Sequence, residues 1–173
     1  VVGVAMVNQI VDTVSDAETH QVLQLVSDIP DPEIPVITIG ELGMVRGVEK
    51  NGAQWVVKFT PTYSGCPATD MLMSDISEVL AKQGYKDVVV EVQLDPAWTT
   101  DWMQESSKQK LREFGISPPD RKACMQTAIN PNPQCPSCGS SDSKLVSEFG
   151  STACKAHYQC RECKEPFDYF KCI

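Results

Sequence analysis

Cys135-Pro136-Ser137-Cys138-Gly139 and Cys160-Arg161-Glu162-Cys163-Lys164 repeat one pattern, with 21 residues between the inner cysteines. Each CxxC forms a tight knuckle that offers two thiolates to one ion, and two knuckles complete the tetrahedral set that Zn²⁺ takes. The gap slightly exceeds the usual window of about 15–20 residues. It has room for a β-hairpin, expected over 144–149 and 153–159 around Gly150. Gly139 suits the sharp turn after the first knuckle. Residues 135–173 are therefore expected to form a zinc ribbon held by Cys135, Cys138, Cys160 and Cys163. Two disulfides or a rubredoxin-like iron site are the alternatives. A closed four-thiolate site has no open position, so its ion would stabilise the fold and not catalyse. His157 is expected at the surface or behind a ligand. Cys154 and Cys172 are left as small buried residues or spare ligands.

Only Cys66 lies before position 120, whereas six of the eight cysteines fall between Cys135 and Cys172. A module that small and cysteine-rich leans on metal or disulfides. Residues 1–10 lack the basic start and small-residue cleavage site of a secretory signal. No apolar run is long enough for a membrane span. A cytoplasmic location is expected, where reduced thiols favour metal. The net charge is −8, and residues 1–134 hold 18 acids against 10 bases while 135–173 hold five of each. Phosphate backbones require a basic footprint that neither part supplies, so nucleic acid is discounted as a partner.

Upstream, apolar spacing predicts a helix over 16–27, capped by Ser15 or Asp16 and stopped at Ile29-Pro30. Prolines 30, 32 and 35 stiffen the next segment, and 36–39 follow as a short strand or turn. Strands over 44–49 and 54–60 flank Asn51-Gly52, a hairpin signal. Met71, Leu72, Ile76, Val79 and Leu80 predict one face of a helix over 67–83, ended by Gly84. A β-branched strand over 86–94 and a helix over 107–114 complete the order helix-strand-strand-helix-strand-helix. The fold class is α+β: a small α/β sandwich of short antiparallel strands with helices on one face, followed by the zinc-ribbon β module. The divisions are an acidic domain over 1–114, a proline-rich linker over 115–134 containing Cys124, and the ribbon.

One loop of the front domain carries chemistry: Thr60-Pro61-Thr62-Tyr63-Ser64-Gly65-Cys66-Pro67. Proline suits the first helical position, which places Cys66 at or near the N-cap, where the helix dipole favours a thiolate. A lone cysteine is otherwise a packed residue. Asp31-Pro32-Glu33 and the segment from Asp95 to Trp102 are candidates to converge on it. His20 and His157 are remote, so a thiol enzyme lacks a base, and transient iron ligation suits the residues better.

The runs IPDPEIPVITIGELGMVRGV, FTPTYSGCPAT and SEFGSTACKAHYQCRECKEPFDYFKCI together resemble the D (or J) subunits of bacterial phenylacetyl-CoA epoxidase systems. The front part resembles the wider iron–sulfur assembly family of DUF59-type domains. The resemblance covers about residues 20–173. It implies a compact α/β domain in which Cys66 is the site for iron or an iron–sulfur cluster, with Asp31, Glu33 and Thr62 beside it. It departs at Glu41, where aspartate is the family's habit. It implies a cytoplasmic, non-catalytic maturation factor, whose partners are the [2Fe–2S] reductase and the di-iron oxygenase. A non-metal adaptor docking those two components is the alternative. One cysteine cannot hold a stable cluster, so a homodimer across Cys66 is a further expectation.

Overall fold

The computed structural model describes residues 17–120, 129–130 and 132–173. The expected cap at Ser15 or Asp16, Cys124 and much of the linker lie outside them. The described chain divides into two units, one running to Trp98 and taking in 102–104, the other made of 99–101 and 105–173.

In the first unit α1 (Ala17–Ser27) buries Val22 and Val26 and stops ahead of Pro30. Residues 36–39 form turns, with a single bridge between Pro30 and Thr38. The prolines leave that stretch too few free N–H groups for a ladder. Strands β1 (Val45–Asn51) and β2 (Gln54–Phe59) pair antiparallel around Gly52, which turns at φ +66°. Helix α2 (Thr69–Lys82) crosses to β3 (Val88–Val92), and β3 then runs parallel to β2 with Val57 opposite Val90. The expectation of antiparallel strands throughout is thus corrected for β3. A crossover helix returns the chain to the end where β2 began, so the strands on either side of it align. The sheet order is β1-β2-β3, with α1 against β1, α2 against β3 and the two helices against each other. Leu72, Ile76 and Leu80 form the buried stripe of α2, but Met71 is 55% exposed. The helical spacing of Met71 puts it beside the stripe, outside the packed face.

The turn after α1 is fixed by close approach. Thr38 N–H donates to the Glu41 carboxylate at 3.0 Å, and Glu41 N–H donates to the Thr38 hydroxyl at 3.1 Å. This reciprocal pair has the logic of a capping box, in which the acid reaches back to a backbone N–H three residues earlier. Gly40 N–H bonds the Ser27 carbonyl at 3.1 Å, and a Cβ on Gly40 would sit 2.6 Å from Ser27 Cβ. Gly43 adopts φ +71°, with the Trp102 carbonyl 2.6 Å from where its Cβ would be. Trp98 donates its indole N–H to the Leu42 carbonyl at 2.9 Å. Arg46, the bulged residue of β1, lies over the Trp102 ring at 3.9 Å. Both tryptophans of the 95–102 segment therefore brace the unit.

In the second unit α3 (Glu105–Glu113) is followed by β4 (Ile116–Ser117), inside the stretch expected to be a linker. That strand pairs parallel to β7 (Pro166–Phe170), which also pairs antiparallel with β6 (Lys155–Cys160), and β6 with β5 (Ser143–Ser147). The expected hairpin is β5-β6. Strand β7 is not among the expected elements, although Phe167 and Tyr169 alternate on its inner face. With Cys135, Ala156, Tyr158 and Cys160 they make a small core. At its rim the Asp168 carboxylate accepts from the Ser151 hydroxyl at 2.8 Å and pairs with His157 Nδ1 at 3.1 Å.

Alanine at position 40 overpacks the turn against Ser27. Gly40→Ala should cost about 1–3 kcal/mol of stability, read by urea denaturation of the first unit, while the metal content of the ribbon stays unchanged.

Candidate metal sites

The two knuckles bring Cys135, Cys138, Cys160 and Cys163 together, with all four Sγ atoms within 4.8 Å of one another. Cys135 and Cys163 are 3.7 Å apart, and Cys138 and Cys160 3.6 Å. Zinc–sulfur bonds of about 2.3 Å in a tetrahedron set sulfurs about 3.8 Å apart, so the donor set fits that ion. Backbone geometry explains the convergence. Gly139 N–H bonds the Cys135 carbonyl at 2.8 Å, and Cys160 N–H bonds the Glu165 carbonyl at 2.9 Å. The residue after each second cysteine is left-handed, Gly139 at φ +78° and Lys164 at φ +67°. The N–H groups of Cys163 and Glu162 hold the Cys160 thiol down to about 7, against the burial that opposes them. Cys163 goes the other way, to about 12: its bond from Glu165 is outweighed by burial and by the neighbouring sulfurs. Four thiols this close cannot all ionise without a cation among them.

The leftover groups stay out of the cluster. Cys154 is buried with its sulfur 3.0 Å from the Thr152 hydroxyl. Cys172 is disulfide-bonded and lies 3.3 Å from the Tyr169 hydroxyl. His157 is half-exposed and engaged by Asp168 across the β6–β7 pair.

In the first unit Cys66 is 9% exposed, on a turn between Tyr63, whose carbonyl accepts its N–H at 3.1 Å, and Thr69, which donates to its carbonyl at 3.1 Å. Helix α2 begins at Thr69, and its cap residue Ala68 makes no side-chain cap. Cys66 therefore lies near the N-cap and not at it, two residues before the cap residue. The expectation of a favoured thiolate is corrected. Burial pushes the Cys66 thiol up and the Glu33 and Asp31 carboxylates add to it, outweighing the bonds from Ala68 N–H and the Thr69 hydroxyl.

Asp31 and Glu33 thus act on Cys66, across more than thirty residues of chain. Asp31, 7% exposed, accepts from the Glu33 and Ile34 N–H groups, each at 2.9 Å, so its carboxylate also ties the turn that presents Glu33. Thr62 is buried in the cysteine's loop, but the hydroxyl that reaches the sulfur belongs to Thr69. Sequence reasoning missed Thr69, although Cys-Pro-Ala-Thr puts a hydroxyl one turn beyond the cysteine. It also passed over Thr60, 1% exposed, whose hydroxyl has no partner among the described residues.

A loop that sets a buried thiol beside two carboxylates and a module of four converging cysteines together define a class of two-module protein. The family description "Iron-sulfur cluster assembly protein" matches residues 19–94, and "PaaD zinc beta ribbon domain" matches residues 120–171. The chain is 55% identical over 161 residues to the putative D subunit of the 1,2-phenylacetyl-CoA epoxidase of Escherichia coli (strain K12), covering 93% of this chain and 97% of that one. The chain belongs to the family of these D subunits. A Fe-S protein maturation auxiliary factor from Porphyromonas gingivalis (strain ATCC BAA-308 / W83) is 30% identical over 94 residues, 53% of this chain and 89% of that protein. The crystal structure of a DUF59 domain from Bacillus anthracis is 26% identical with a TM-score of 0.51, covering 55% of this chain and 92% of that one. No helix among the described residues is long and apolar enough to cross a membrane.

Removing one carboxylate should free the thiol. Glu33→Gln should lower the Cys66 pKa and speed its alkylation by iodoacetamide at about pH 8, near the usual thiol range, followed by mass spectrometry of the Cys66 peptide. A rate no faster than wild type would disconnect Glu33 from the sulfur.

Proposed function

We propose that this chain is a maturation factor for a phenylacetyl-CoA epoxidase (ring-1,2-epoxidase) complex. It assists assembly of the iron–sulfur or iron centre in the reductase or the di-iron oxygenase of that system. The observation that carries this is the electrostatic setting of Cys66. A thiol with two carboxylates beside it is disfavoured as a thiolate on its own. The same carboxylates attract a divalent cation, and a bound cation reverses the local sign and deprotonates the thiol. Cys66, Asp31 and Glu33 mix one soft donor with hard ones, which suits iron better than a closed thiolate cage does. Cys66 is the thiol of this loop, so a cluster held here takes further ligands from a client or a second copy of the chain. Such a site loads and releases; it is not built to retain. The relative named as a Fe-S protein maturation auxiliary factor and the match of residues 19–94 to the iron–sulfur cluster assembly family support the carrier role.

The ribbon, in this proposal, holds one structural Zn²⁺ through Cys135, Cys138, Cys160 and Cys163. Its ion supplies the folding energy of a core made of few apolar residues, on the scale of about 10–16 kcal/mol in isolated zinc modules. The chain itself turns over no substrate.

A second reading is an adaptor that docks oxygenase to reductase, favoured by the naming of the E. coli relative as part of the epoxidase. Metal analysis of anaerobically purified protein separates the two. Zinc at one per chain together with labile iron that Cys66→Ala abolishes supports the carrier. Zinc alone, in wild type and variant alike, supports the adaptor. In cells carrying only Cys66→Ala, the client's iron content should fall while the variant accumulates normally. An unchanged client would falsify the carrier role.

The ribbon cysteines should behave differently. Cys160→Ser should remove the zinc and abolish the near-ultraviolet signal of Tyr158 and Tyr169, with the helical signal of the first unit retained.

A further inference from the structure

Helices α1 and α2 leave a groove of about 430 Å³ between them. Leu25, near the end of α1, and Asp28, Ile29 and Pro30 of the turn that follows it line one wall. Asp75, Glu78, Val79 and Lys82 line the other at i, i+3, i+4, i+7. The exposed lining is mostly apolar, with Leu25 and Val79 half-buried and Pro30 exposed. The rim is acidic. Asp28 is steadied by the Gln24 side-chain amide at 2.8 Å. Glu78 already holds Lys82, at 2.7 Å. The Asp75 side chain makes no hydrogen bond or ion pair among the described residues. Asp28 and Asp75 therefore stand over an apolar floor without an ion-pair partner among the described residues, the groove's Lys82 being engaged by Glu78.

We propose that this groove docks an amphipathic helix of a partner protein, its apolar face on Leu25 and Val79 and its Lys or Arg residues on Asp28 and Asp75. Charge complementarity selects that occupant. The groove has two carboxylates in excess, in the half of the chain that holds the acidic surplus. An apolar floor between acidic edges matches the arrangement of a basic amphipathic helix, in which hydrophobic anchors run between cations. Rim charges of this sort steer and orient the encounter, and the floor supplies affinity. A free cation would leave the apolar floor wet, and an acidic partner would face repulsion. The inference does not depend on metal at Cys66.

The test uses the full chain and a labelled model peptide of about 14 residues, a length at the margin of helix stability in water, with Leu on one helical face and Lys on the other. Fluorescence anisotropy should show binding that Asp28→Lys/Asp75→Lys weakens at least about tenfold. The control Glu105→Lys/Glu113→Lys, of equal charge change, should bind as wild type. A peptide with Ser in place of Leu should lose most of the affinity. Equal binding by that peptide, or equal weakening by the control pair, would mean diffuse attraction to an acidic surface and would overturn the proposal. Backbone chemical shifts of the wild-type chain give a readout free of any variant. Changes on α1 and α2 support the groove, and changes confined to other elements overturn it. Cys66→Ala should bind the peptide unchanged, so loss of metal handling and loss of docking are distinguishable.

Discussion

A buried negative charge needs a donor or a cation within reach, and both metal-type sites of this chain are built on that constraint. The Asp31 carboxylate sits nearly out of solvent because two N–H groups of its own turn donate to it. Those bonds curl the Asp31–Ile34 segment and turn Glu33 toward the cysteine loop. In the ribbon, four sulfurs are gathered by backbone turns that direct N–H groups at them. The turns can bring thiols together; only a cation lets all of them be thiolates.

The two sites use that constraint in opposite senses. The ribbon surrounds its sulfurs with a closed donor set whose geometry matches a tetrahedral ion, and closure suits permanence. The first unit offers one buried sulfur with carboxylates nearby, an incomplete set of donors. In the carrier reading proposed above, incompleteness suits transfer, because another molecule would supply the remaining ligands. In the same reading, a scaffold stabilised by one metal while handling another would follow from keeping the donor sets chemically distinct.

Rigid packing holds the incomplete site in place. Gly40 against Ser27 and Gly43 against Trp102 leave no room for side chains, so the turn between α1 and β1 has one arrangement. The Thr38–Glu41 pair closes it from within, and glutamate has the reach to do so. Asp31 and Glu33 belong to the same connection between α1 and β1, and Asp31 is tied within it by the Glu33 and Ile34 N–H groups.

The ribbon was legible in the sequence because its ligands come in local pairs: a knuckle is five residues long, and its geometry is set by its own turn. The β1–β2 hairpin and the stripe of α2 were legible for the same reason, each being a local period or turn. The aromatic alternation of β7 was equally local and was missed beside the stronger cysteine pattern. What only tertiary structure decided is what depends on distant partners. The parallel alignment of β3, the recruitment of Ile116 and Ser117 into the ribbon sheet and the meeting of Asp31 and Glu33 with Cys66 are of this kind. So is the sign of the Cys66 shift. A helix start seen in sequence argued for a thiolate, but burial and two carboxylates from another segment argue against it, and a field is the sum over neighbours that no short stretch of chain contains.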